Sequence, residues 1–361
     1  MNQQVLCCLF GGKSTEYEVS LMSVCSVLQH VNRERFEVVT LGVTKEGKWL
    51  YYDGDTEKIR DNTWFEDSAH TAPAMFSPDS GSGMLWIRTP EGGWREKHID
   101  VVFPVMHGAN AEDGSMQGLL TLCGIPFVGP GCCASAIAMD KIYTKLILQN
   151  FGIPQARFCV VRRGEQTEEW MPRTEPLGGF PLFVKPANAG SSVGSAKARD
   201  EEQLRAAVAD ALRYDSRVLI EEYIAGKEVE CAVMGNDAPK ASTPGQIDPG
   251  SDFYDYETKY ITDTSKERIP APVQPQTAAM IQQYALQIYR VLGCRGLSRV
   301  DFFVAGEGER ERVVFNEINT LPGFTSISMY PKLFVYDGMP YSQIIDRLVD
   351  LACEANGSAT V

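Results

Sequence analysis

Leu297-Ser-Arg-Val-Asp-Phe-Phe-Val304 and Arg312-Val-Val-Phe-Asn-Glu-Ile-Asn319 are two apolar-rich runs joined by a glycine-containing turn, Ala305 to Glu309. Runs of this length and composition predict a β-hairpin. In a strand, residues i and i+2 share a face. Val300, Phe302 and Val304 therefore form one apolar face, and Arg299 and Asp301 lie together on the other. Glu317 and Asn319 likewise share a face of the partner strand. Antiparallel pairing brings two carboxylates, an amide oxygen and an arginine to one place. A hard cation such as Mg²⁺ takes oxygen ligands, a couple of carboxylates among them, and completes its shell with substrate phosphates. Taken alone, the same pattern also suits a solvated hairpin face with a salt bridge.

A second polar cluster precedes the hairpin. Lys185-Pro-Ala-Asn-Ala-Gly-Ser-Ser-Val-Gly194 ends a strand in lysine and continues as a loop of small residues. Such a loop can cover phosphates with backbone N–H groups while the lysine supplies charge. It lacks the Gly-Lys-Ser/Thr that opens a helix in a Walker A motif, and taken alone an ordinary Gly/Ser turn beside a surface lysine is the better reading. Leu219-Ile-Glu-Glu222, followed by Glu228, is a strand with paired acids. Such acids can serve nucleotide contacts, but in isolation a solvated edge strand is the better reading. Glu16 and Glu18 in Gly11-Gly-Lys-Ser-Thr-Glu-Tyr-Glu-Val-Ser20 precede a helix, where the dipole favours anions and capping is the plain reading. His107-Gly-Ala-Asn-Ala-Glu-Asp-Gly114 reads as a strand-to-helix loop, with His107 open to a structural role.

The rest of the chain sets the frame. Its 361 residues suffice for two or three cores. Gln4 to Phe10, a helix from about Val19 to Val31 and Phe36 to Val43 make a βαβ opening, which predicts a parallel sheet. Residues 44–97, rich in Trp, Gly, Asp and Pro with weak periodicity, read as an insertion on this first unit. Val101 to Val105 and Ile125 to Val128 read as strands, and the unit closes near Gly129 to Gly131. A single helix from Ala134 to Phe151 follows, then strands at Phe158 to Arg162, Pro181 to Lys185 and Val218 to Ile224. Asp200-Glu-Glu-Gln203 has the look of a helix-opening capping box. Asp248 to Arg268 is a long polar, aromatic loop, the kind that serves as a lid.

Composition narrows the function classes. The net charge of −13 argues against nucleic acid or an anionic membrane surface as partner. No apolar stretch approaches the roughly 18 residues of a membrane helix, and the amino terminus has no basic leader. None of the ten cysteines forms a CxxC pair, so they read as reduced thiols of a cytoplasmic protein.

Together the strings GGKSTEYEVS, HGANAEDG, MDK, KPANAGSSVG, LIEEYIAGKEVE, FYDYETKY, SRVDFF and NEINTLPGFTSISMYPK, spread from residue 11 to 332, resemble the D-alanine–D-alanine ligase family of the ATP-grasp superfamily. The resemblance implies a three-domain α/β ATP-grasp fold: a Rossmann-like N-terminal domain (1–130), a central subdomain (131–225) and a C-terminal subdomain (226–361) with the lid at 248–268. It implies ligation of two D-alanines at the expense of ATP, through a D-alanyl phosphate, for peptidoglycan synthesis. Two Mg²⁺ ions, replaceable by Mn²⁺, and a homodimer belong to the same expectation.

Residue by residue, the resemblance places Lys141 and Lys185 on the ATP phosphates with Ser192 in the loop above them. Glu221, Glu222 and Glu228 fall at the adenine and ribose, and Asp301, Glu317 and Asn319 become metal ligands. Glu16 holds the first substrate's ammonium, with His107 near its carboxylate and Ser191 and Tyr260 closing around Glu16. Arg299 and the Gly323 amide stabilise the oxyanion, and Lys259 and Ser328 bind the second carboxylate. Lys259-Tyr260 is the lid pair that lactate-adding relatives lack. Met329 stands where both D-lactate and D-serine variants tend to carry arginine, which favours D-alanine, with D-serine as the alternative. A glutathione-synthetase-like ligase would not need the Glu16, Lys259-Tyr260 and Ser328 set. A silent ATP-binding module would not need Arg299, Asp301, Glu317 and Asn319. The Gly11-Gly12 turn lacks the GxGxxG of a nicotinamide dehydrogenase.

Overall fold

In the computed structural model, residues 3–190, 193–248 and 266–357 are described. The uncharged strand Gln4–Gly11 lies between Phe36–Val43 and Val101–Val105, parallel to both, with Leu6 opposite Val38 on one side and Val101 on the other. The helix Tyr17–His30 packs on this strand and buries Tyr17, Leu21, Val24 and Leu28. The expected Ile125 to Val128 strand reduces to a single bridge, Val102 to Phe127.

Residues 44–97 are more than an appendage. Trp49–Tyr52, Thr71–Phe76, Met84–Arg88 and Trp94–His98 add four strands, each antiparallel to its neighbour, to the edge of the same sheet, making it seven-stranded. Trp64, from the link between the first two, is fully buried edge-on against Phe10 and donates its indole N–H to Tyr17 Oη. Gly42 has no side chain because a Cβ there would come within 2.3 Å of the Trp64 ring.

The second sheet, in the order Ala196–Ala198, Leu182–Pro186, Arg217–Glu222, Phe158–Arg162, is antiparallel throughout. The helix Glu201–Tyr214 covers it, burying Leu204, Ala207, Val208 and Ala211. Asp200 caps this helix by accepting the Gln203 N–H, and Gln203 Oε1 reaches back to Arg199 N–H, one residue earlier than a standard capping box.

The expected single helix Ala134 to Phe151 is instead two, Cys132–Met139 and Lys141–Gln149. Asp140 breaks it. Its backbone is extended, its Oδ1 accepts the N–H groups of Ile142 and Tyr143, and its Oδ2 pairs with Arg217 of the second sheet. The Lys141 N–H meanwhile donates to Ala187 O. A polar cap with a tertiary partner thus outweighs the local helix propensity.

The third sheet runs Lys266–Arg268, Gly245–Asp248, Lys227–Gly235, Gly296–Ala305, Arg312–Asn319, with the short Lys240–Ala241 also on Lys227–Gly235. Its Val229, Cys231 and Val233 pack with Val300, Phe302, Val304 and the helix Pro275–Val291. The other face shares a core with the first unit, in which Met234, Leu297, Leu321 and Phe324 join Phe10 and Phe103.

Candidate active site

The hairpin reading holds in detail. Arg299 faces Asn319 and Asp301 faces Glu317 across Gly296–Ala305 and Arg312–Asn319. A bulge follows Asp301, so the register slips past Asn316 before Phe302 meets Phe315. Bulges re-aim side chains. Here Asn316 Oδ1 accepts from Lys185 Nζ at 2.9 Å.

Arg299 is held in a fork. Its Nε and Nη2 donate to Asp301 at 2.8 and 2.7 Å, and Glu230 on the adjacent strand lies 3.0 Å from Nε. Burial works against this cation, but Asp301 and Glu230 outweigh burial and hold its pKa above the ordinary value. Asn319 Nδ2 also donates to Asp301, at 2.9 Å. The donor chemistry of this face, two carboxylates and one amide oxygen, fits a hard divalent cation that takes its remaining ligands from phosphate. Among the described residues no cluster of three or more His, Cys, Asp or Glu forms a protein-only cage.

Opposite lies a lysine-rich wall. Lys145 and Lys185 share Glu221 at 2.5 and 3.0 Å, with Lys145 and Glu221 buried and Lys185 partly buried. Burial pushes the Glu221 carboxyl up, yet the two ammonium groups prevail and bring it to about 2. Lys141 Nζ donates to Ala189 O at 2.6 Å, at the start of the small-residue loop. Burial, aided by Lys185, lowers its pKa. Asp215 secures the same loop by accepting both the N–H and the Nδ2–H of Asn188. Glu222 points the other way along its strand and is engaged by Arg157 at 2.6 Å. Glu228 lies on the cavity wall.

One cavity of about 480 Å³ joins these parts. Glu16, His107, Lys141, Lys185, Glu221, Glu222, Glu228, Arg299, Asp301, Glu317, Asn319 and Gly323 all line it. Glu16 stands at the helix start without capping it, so the capping reading gives way. Its carboxylate occupies space that two glycines leave open, since a Cβ at Gly108 or Gly190 would fall 2.6 or 2.5 Å from Oε2. Ser328 sits just beyond the cavity, its Oγ accepting the Thr325 N–H at 3.0 Å and crowding the position a Gly323 Cβ would need. Ser191, Ser192, Lys259 and Tyr260 lie outside the described residues, as does most of the expected lid.

Sequence reasoning passed over four residues here. Lys145 is one turn after Lys141 and so shares its helix face, a signal that was available. Glu230 follows Glu228 by two in a strand and faces the same way. Asn316 depends on the bulge. Glu112 lines the cavity beside Glu16, and only its place in the 107–114 loop hinted at a role.

Comparison with known proteins identifies the family. Residues 5–130 match the D-ala D-ala ligase N-terminus family and residues 147–350 the D-ala D-ala ligase C-terminus family. The D-alanine–D-alanine ligase of Acetivibrio thermocellus is 47% identical over 358 residues, covering 96% of this chain and 95% of that protein. Among solved structures, the VanG D-Ala:D-Ser ligase from Enterococcus faecalis is 39% identical with a TM-score of 0.88, covering 97% of this chain and all of that one. The D-alanine-D-alanine ligase from Coxiella burnetii is 31% identical with a TM-score of 0.84, covering 99% of this chain and 97% of that one. With family models matching residues 5–130 and 147–350 and a relative 47% identical over 96% of its length, the chain belongs to the D-alanine–D-alanine ligase family.

Proposed function

We propose that the chain joins two D-alanine molecules into D-alanyl-D-alanine, a peptidoglycan precursor, with ATP converted to ADP and phosphate. The carrying observation is the single cavity that the acids of the hairpin share with Lys141 and Lys185, with Glu16 also on its wall. Division of the chain near residues 130 and 225 puts the nucleotide between the second and third sheets and the amino acids beside the Glu16 loop.

A free carboxylate is a poor acylating agent, so the first D-alanine carboxylate attacks the γ-phosphorus and becomes an acyl phosphate. Lys141 and Lys185 neutralise the phosphates, and Glu221, by holding Lys185 between itself and Asn316, keeps that charge in place. Glu221 and Glu228 flank the adenine and ribose, with Glu222 on the rim. Glu16 receives the first ammonium group, assisted by Ser191 and Tyr260. Asp301, Glu317 and Asn319 hold two Mg²⁺ ions, with Mn²⁺ able to substitute; when bound, these ions neutralise phosphate charge. The amine of the second D-alanine, its carboxylate on Lys259 and Ser328, then attacks the acyl carbon. Arg299 and the Gly323 N–H face the developing oxyanion. Acyl phosphates hydrolyse, so closure of 248–268 over the site excludes water. A homodimer in the cytoplasm is the setting the family resemblance favours. Among the described residues no helix is long and apolar enough to cross a membrane.

D-Serine at the second site is the other reading, favoured by the likeness to the VanG D-Ala:D-Ser ligase. Met329, buried after Ser328, and relatives named D-alanine–D-alanine ligase at 42–47% identity support D-alanine. The purified protein with ATP and D-alanine is expected to release one ADP per dipeptide. In competition, D-alanine should outpace D-serine at least about tenfold in kcat/KM, within the reach of discrimination by one hydroxyl. Predominant D-alanyl-D-serine would move the assignment to the variant class, and no ADP release with any D-amino acid would remove it.

A further inference from the structure

Beyond Asn319 the chain leaves the strand as Thr320-Leu-Pro-Gly-Phe324, and this irregular segment carries Gly323. Three side chains of the first unit grip it on both sides of that glycine. The Leu321 N–H donates to Glu112 Oε1 at 3.1 Å, and the Leu321 carbonyl lies 2.9 Å from His107 Nδ1. The Phe324 N–H donates to Ser23 Oγ at 3.3 Å, and Ser23 Oγ lies 3.1 Å from His107 Nε2. A carbonyl can only accept, so Nδ1 carries the imidazole proton, and in the neutral ring Nε2 accepts from the Ser23 hydroxyl. Glu112 Oε2 is used as well, accepting the Gly108 N–H at 2.8 Å.

The directions of the bonds close into a chain. Phe324 N–H feeds Ser23, Ser23 feeds His107, His107 feeds Leu321 O, and Leu321 N–H feeds Glu112. Ser23 is fully buried and His107 nearly so. Burial lowers the His107 pKa, which keeps the ring in the neutral form that this chain requires. Between the two anchored residues lie only Pro322, whose ring fixes φ, and Gly323. Among the described residues the Gly323 N–H has no acceptor, and Gly323 lines the cavity.

We propose that Ser23, His107 and Glu112 are positioning residues that staple Leu321 and Phe324, and so aim the Gly323 N–H at the oxyanion of the second step from across the junction between the first and third units. This rests on the assignment of Gly323 as an oxyanion donor. It also changes the expectation for His107. Both ring nitrogens are committed to the staple, so its influence on the substrate runs through the backbone it holds. A donor fixed before the reaction stabilises charge only where the tetrahedral state places it. Loosening the staple therefore harms the transition state more than nucleotide binding.

The test compares Ser23→Ala and Glu112→Gln with wild type in dipeptide formation. A phosphinate dipeptide serves as a mimic of the tetrahedral oxyanion. Both variants are expected to lose roughly ten- to a hundredfold in kcat, the scale of a misplaced catalytic group. The KM for ATP should stay within about twofold, and affinity for the phosphinate should fall in parallel with kcat. A merely structural role would lower the melting temperature without weakening the phosphinate affinity of the folded protein. Should Glu112→Gln not fold, Ser23→Ala decides, because it removes only one hydroxyl. Wild-type kcat and wild-type phosphinate affinity in a folded Ser23→Ala protein overturn the staple alone. Absence of dipeptide from wild type overturns the functional assignment, and the staple with it.

Discussion

Asp301→Asn and Glu317→Gln are expected to fold and to lose about 10³-fold or more in D-alanine-dependent ADP release. The size follows from charge. A bound divalent ion supplies several kcal/mol of stabilisation to a phosphoryl transfer, and each 1.36 kcal/mol is worth about tenfold in rate. Either substitution keeps the side-chain volume and removes one of only two carboxylates on the hairpin face. Folding should survive because Arg299, which loses Asp301 as counter-ion, keeps Glu230 at 3.0 Å. Circular dichroism with steady-state ADP assays checks both halves of the expectation. A folded Asp301→Asn protein with more than a tenth of wild-type turnover would show that the metal face lies elsewhere.

Glu221→Gln should cost stability as well as activity. Glu221 is the shared counter-ion of the buried Lys145 and the partly buried Lys185, and removing it leaves Lys145 with no ion-pair partner among the described residues and Lys185 with the Asn316 amide at short range. Breaking a buried ion pair from one side costs about 3–5 kcal/mol, readable by urea denaturation. The pH dependence has a definite sign. The folded-state pKa of Glu221 is depressed from 4.5 to about 2, so its contribution is fully present above 4.5 and disappears as pH falls toward 2. The variant should lack that part of the wild-type acid limb. Equal stability at neutral pH, together with an unchanged acid limb, would mean that the triad is not ionised as described.

The features legible in the sequence were those set by short-range periodicity. The two-residue alternation of 297–304 and 312–319 placed Arg299, Asp301, Glu317 and Asn319 on one surface, and the structure gives that register. The opposite directions of Glu221 and Glu222 follow from the same rule, but their partners, Lys145 and Arg157, come from distant elements. The helix break at Asp140 was hidden because its local cap is held by a partner, Arg217, 77 residues away. The strands of 44–97 were hidden for a related reason. Each is four to six residues long, and their order comes from pairing with the neighbour and from Trp64 beneath, not from a regular alternation of their own. Asn316 became a Lys185 partner only through a bulge, which no local propensity announces.

The most direct test of the nucleotide site is a crystal structure with Mg²⁺ and ADP bound. The phosphates should lie against the ammonium groups of Lys141 and Lys185, with the cation on Asp301, Glu317 and Asn319. A nucleotide seated away from this hairpin, or a cation held by other side chains, would contradict the assignment.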